Sequence, residues 1–173
     1  TERQLTQLRE RQLDALVVDV RRVEAAPDLN VAHVVEMRAG FVCRQGHPLL
    51  GLYPEGAPFD ALLAYPIASI QLSQEVARLL VDHYGPQANP AQMTTLQCED
   101  IASLLDVVGQ TDAIYLGIVG AAREGMARGS LAELPMRTPL KGQARLGLIT
   151  LAGRTELPAM SVFREFVQKH MTD

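Results

Sequence analysis

Between Val31 and Leu49 apolar and polar side chains alternate almost strictly. His33, Val35, Met37, Ala39, Phe41 and Cys43 fall on one side, with Glu36, Arg38, Gly40 and Arg44 among those on the other, which is the period of a half-buried strand. The run is too long for an ordinary strand of roughly 3 to 10 residues. It either bends at Gly40, where no Cβ hinders the chain, or passes from one sheet into another. We read it as a crossover between two small α/β lobes.

The remaining pattern is one of alternating helices and strands. Leu5 and Leu8 among charged neighbours mark a first helix that Thr1 can cap, and Asp14 to Asp19 follows as a buried strand before a loop from Val20 to Asn30. Beyond the crossover, proline and glycine punctuate a loop from Gly46 to Gly51. Phe59 to Tyr65 reads as a short helix and Pro66 to Ile70 as a strand. Ser73 to Tyr84 forms a helix with Val76, Leu79, Leu80, His83 and Tyr84 on one face, Ser73 as N-cap and Gly85-Pro86 as stop. A strand from Gln92 to Cys98 then leads to a helix marked by Ile101, Leu104, Leu105 and Val108. Glu99 and Asp100 stand in its first turn, complementing the macrodipole, and Gly109 closes it. Ala113 to Val119, Leu131 to Met136 and Ala144 to Leu151 are strands, and Pro158 to Met171 is an amphipathic helix through Met160, Phe163 and Val167. Such alternation implies α/β lobes with largely parallel sheets.

Composition narrows the function more by exclusion than by motif. At 173 residues and 47% hydrophobic, the chain can bury a real core and is not disordered. No apolar run approaches the roughly 20 residues of a membrane span, and the polar start resembles no signal peptide. A net charge of −4, with two lysines in all, argues against a phosphate-binding surface. Arg9 with Arg11, and Arg21 with Arg22, read as solvated surface. Cys43 and Cys98 are too few for a disulfide framework, and both are read as reduced cysteines of a cytoplasmic protein. His47, before a proline and without a second ligand nearby, reads as structural; no metal or other cofactor is expected. Gly117, Gly120 and Gly125 lack the spacing of a dinucleotide fingerprint and the ending of a P-loop, so they read as a flexible loop. No catalytic motif is present, which favours binding over catalysis.

The order of elements resembles the effector-binding domain of LysR-type transcriptional regulators. The resemblance rests on Asp14-Ala-Leu-Val-Val after Leu8 and Leu13, the extended segment ending in His47-Pro48-Leu49, Leu105 through Ile114, and Leu157-Pro158-Ala159 before Phe163. It implies two Rossmann-like lobes joined by crossover strands, like type 2 periplasmic binding proteins. The first lobe comprises residues 1–39 plus 142–173 and the second residues 40–141. By the same resemblance the chain lacks the family's first strand-helix-strand and its helix-turn-helix, through which DNA would be bound. A peroxide-sensing member would carry its reactive cysteine before the Ser73 helix, where this chain has none.

The resemblance also implies a small-molecule effector. Its expected contacts are Thr1, the loop Gln71, Leu72 and Ser73, and Asp19, where some members with acidic effectors have arginine; a carboxylate there favours ligands with hydroxyl or amino donors. Gly117 stands where many members have proline. Ala77 and Val81 widen the apolar girth of the Ser73 helix. In the family this helix and the next strand meet a twofold partner, which by resemblance places Ala77, Val81 and Met93 at the interface of a homodimer or homotetramer; the alternative reading is that these residues are simply core. The competing reading is a two-lobed solute-binding protein of a transport system.

Overall fold

Strand β2 (Leu29–Arg44) runs for 16 residues, and the division of the molecule falls inside it. The computed structural model describes residues 2–154 and 157–171. It separates into one unit of Thr1–Met37 with Gln143–Asp173 and a second of Arg38–Gly142. The strand continues through Gly40, whose glycine has a different purpose from a bend. A Cβ there would stand 2.8 Å from Val119 Cγ2, so the missing side chain admits close packing by Val119.

The first unit contains α1 (Glu2–Arg9), β1 (Leu16–Asp19), the start of β2, β7 (Gln143–Leu151) and α8 (Pro158–His170). β1 pairs with β7 in register Leu16↔Ile149 to Asp19↔Leu146. This pairing is antiparallel, where the alternation of elements implied parallel strands. β7 re-enters the unit after Gly142, so no direct βαβ connection from β1 dictates its direction. Leu5 and Leu8 of α1 close on Leu16 and Ile149, with Leu13, Val18, Val20, Val23, Leu29 and Leu151 around them. On α8, Met160 and Val167 are buried, but Phe163 is 39% and Phe166 58% exposed. The helix stripe expected to include Phe163 is therefore only partly used.

The second unit is built on both faces of its sheet. It contains α2 (Pro48–Leu52), α3 (Phe59–Leu62), β3 (Ile67–Ser69), α4 (Gln74–Tyr84), α5 (Pro90–Met93), β4 (Thr94–Gln97), α6 (Ile101–Gln110), β5 (Ile114–Ile118), α7 (Arg123–Ala127) and β6 (Leu131–Glu133). β3 is parallel to both β4 and β5, while β2 is antiparallel to β5 and β6. Strand alternation sorts the core. Phe41, Ile67, Ile114 and Leu116 join Leu80 and Met93 in one cluster, while Val42, Ala68 and Tyr115 join Leu104 and Val108 in another. Burial on both faces is characteristic of strands covered by helices on either side.

Three helices replace expected non-helical segments. The Gly46–Gly51 loop contains α2, started by Pro48 at its first turn and capped by His47, whose Nδ1 accepts from Leu49 N at 3.2 Å. The strand expected from Gln92 begins at Thr94, because Asn89 caps α5 and Pro90 opens it. The glycine-containing loop after β5 includes α7; Gly125 lies in this helix, where a Cβ would collide with Leu131. Gly109 also lies inside its helix, with Thr111 as the C-cap. Tyr65 falls beyond α3, whose last residue is Leu62.

Candidate functional site

The carboxyl ends of β3 and β4 form the most informative site in the second unit. β3 leads into α4, whose Val76, Leu80 and Tyr84 pack with one core cluster. β4 leads into α6, whose Leu104 and Val108 belong to the other. The chain thus leaves two neighbouring parallel strands toward opposite faces of the sheet, a topological switch at which open α/β sheets form ligand crevices. Ser69, wholly buried, secures this edge: its Oγ donates to Leu116 O at 2.8 Å.

The predicted loop lies at this switch. Gln71 is exposed, while Leu72 and Ser73 are partly buried. Leu72 packs against the core beneath α4. Ser73 has extended backbone geometry and caps α4, its Oγ accepting from Val76 N at 3.3 Å. Ser73 thereby satisfies one of the otherwise unpartnered N–H groups in the first turn. Gln71 N donates to Glu99 Oε1 at 3.1 Å. Glu99 therefore reaches across to the loop, whereas Asp100 caps α6 by accepting from Ala102 N at 3.2 Å and Ser103 Oγ at 2.6 Å. The Ser103 hydroxyl is the largest influence holding the Asp100 carboxyl below its ordinary pKa. Both acids were expected in the helix's first turn, but only Asp100 meets the helix, and it does so as the cap.

β5 ends beside a further constraint. Tyr115 is buried, and burial pushes its phenol pKa up to about 12 against a smaller opposing effect of a backbone hydrogen bond at Ile118. Its hydroxyl occupies the space where a side chain at Gly117 would begin. The glycine at this position thus accompanies the large aromatic two residues earlier. This relation was legible only once the tyrosine's direction was known.

In the first unit, Asp19 is the N-cap of a short 3₁₀ turn and accepts from Arg21 N at 3.1 Å. The Arg21 guanidinium also donates through Nε to Oδ1 at 3.0 Å and through Nη2 to Oδ2 at 2.7 Å. This bidentate arrangement neutralises the carboxylate locally. Arg21, read from sequence as solvated surface, is its missed partner; the spacing of two residues was the available signal. Thr1 lies outside the described residues.

The residues expected at an interface differ in surface access. Ala77 and Val81 are partly buried on α4, but Met93 is 7% exposed and belongs to the core. Leu79, expected on the core-facing side, is 45% exposed. His47 is enclosed: Nδ1 accepts from Leu49 N, so Nε2 carries the hydrogen and donates to Asp112 O at 3.1 Å. Cys43 is buried, with its thiol pushed up to about 12 chiefly by desolvation, and neither Cys43 nor Cys98 is in a disulfide. Among the described residues, no group of three or more His, Cys, Asp or Glu residues is arranged to hold a metal.

The LysR substrate binding domain family model matches residues 1–172. The chain is also 31% identical, over 156 residues, to the SDS degradation transcriptional activation protein of a Pseudomonas species, covering 90% of this chain and 50% of that protein. It therefore spans about half the length of this curated relative. The effector-binding domain of QuiR in complex with shikimate matches with a TM-score of 0.63 and 16% identity, covering 98% of this chain and 77% of that one. The CrgA regulatory domain, a LysR-type regulator domain from Neisseria meningitidis, matches with a TM-score of 0.69 and 13% identity over 96% of this chain and 79% of that one. These solved structures establish the shared periplasmic-binding-protein-like fold, while the family match distinguishes the chain from the competing transport reading. The chain belongs to the LysR substrate-binding domain family of transcriptional regulators.

Proposed function

We propose that this chain senses a small metabolite and controls an attached helix-turn-helix DNA-binding domain. Gln71, Leu72 and Ser73 are the effector loop, with Thr1 and Asp19 as further contacts in the first unit. The observation carrying this assignment is the loop's place at the switch point of the β3 and β4 carboxyl ends. Binding without turnover, and a cytoplasmic location, belong to the same proposal. Among the described residues, no helix is long and apolar enough to cross a membrane.

A thermal-shift screen of metabolites tests the sensing function, since a ligand that prefers the native state raises stability by mass action. The expected result is a saturable increase in Tm with one chemical class. A substrate converted with robust turnover would overturn the binding-only function.

The proposed oligomer uses α4, where partly buried Ala77 and Val81 accompany exposed Leu79. Met93 supports this surface from within the core. Val81→Glu is expected to shift the protein from dimer to monomer in analytical ultracentrifugation, by placing a charge where an apolar contact forms. A folded variant that remains dimeric, or a parent already monomeric, contradicts this interface.

A further inference from the structure

Glu99 is exposed two residues beyond the end of β4, yet its carboxylate is oriented rather than free. Oε1 accepts from Gln71 N, while Oε2 has no protein partner among the described residues. From Pro66 to Gln110 the chain carries five acidic residues, Glu75, Asp82, Glu99, Asp100 and Asp106, against the single arginine Arg78. Asp100 already has its oxygens engaged with Ala102 N and Ser103 Oγ. Glu99 is consequently the acid at this strand edge that combines a fixed orientation with an available oxygen.

We propose that Glu99 is a specificity-determining residue for the effector, resting on the assignment of Gln71 to Ser73 as its loop. Gln71 N–H holds Oε1, and Oε2 accepts from an ammonium or hydroxyl group of the ligand. A carboxylate presented in the same position instead meets a like charge. Prior orientation also reduces the side-chain entropy lost on binding. The second unit therefore selects a donor-bearing end of an effector, preferably a cationic one.

The test uses benzylamine and benzoate, which have the same aromatic body and opposite charges at neutral pH. Binding is followed by ¹⁵N NMR in the parent and Glu99→Gln, which retains an oxygen acceptor for Gln71 N–H. In the parent, benzylamine is expected to shift the amides of Gln71, Leu72 and Ser73 at about tenfold lower concentration than benzoate, the scale of a hydrogen bond to a charged group. In Glu99→Gln that preference is lost while the rest of the spectrum is retained. Equal preferences in parent and variant overturn the role of Glu99 and leave the effector loop standing. Silence of the three amides toward both probes overturns the loop assignment together with this inference.

Discussion

The two units bury their apolar residues to different degrees. The second covers both faces of its sheet, and Phe41 packs within it edge-on to Phe59 and Tyr84, with ring centroids 6.2 and 6.1 Å away. The first gathers Leu5, Leu8, Leu16 and Ile149 into a smaller buried cluster, while Val31, Val34, Val162 and Phe166 remain exposed. Burial of apolar surface is the main favourable contribution to folding. Resistance to local opening should therefore be greater in the second unit, which carries the candidate effector loop.

Core truncation gives the largest effect and the hardest test of this contrast. Phe41→Ala should destabilise the second unit by about 3–5 kcal/mol, and Leu8→Ala the first by about 2–3 kcal/mol. Hydrogen exchange should locate each loss in its own unit. Loss of protection throughout both units on Leu8→Ala alone would break the proposed difference. Gly117→Ala should follow at about 1–3 kcal/mol in denaturant unfolding, because the new Cβ meets the enclosed Tyr115 ring. Tyr115→Leu withdraws the ring, so the two changes together should cost less than their sum. Strict additivity would remove Tyr115 as the reason for the glycine.

Phe166→Ser should have the smallest effect, within about 0.5 kcal/mol, because this side chain is already largely in water. A loss above about 2 kcal/mol would mean that the exposed face of α8 is an essential packing surface.

The same contrast explains what could be read from sequence. The pattern from Phe41 to Cys43 was legible because alternation sends Phe41 and Cys43 to one core cluster and Val42 to the other. Ser73 was legible as a cap because its hydroxyl meets α4 within three residues. Short helices were harder: α2 and α5 depend on local capping around Pro48 and Pro90, residues that also signal loops. Glu99 to Gln71 was not legible from local patterning, since 28 residues separate the partners and the contact depends on β3 lying beside β4. Phe163 exposes the limit of a helical stripe, which identifies apolar spacing without determining what covers it.

The central functional claim is tested most directly by hydrogen exchange with and without a metabolite identified by thermal shift. The proposed function predicts slower exchange at Gln71, Leu72 and Ser73 in the bound protein, with the protection lost when the ligand is removed. Saturating binding that protects other segments while leaving all three amides unchanged would contradict their assignment as the effector loop.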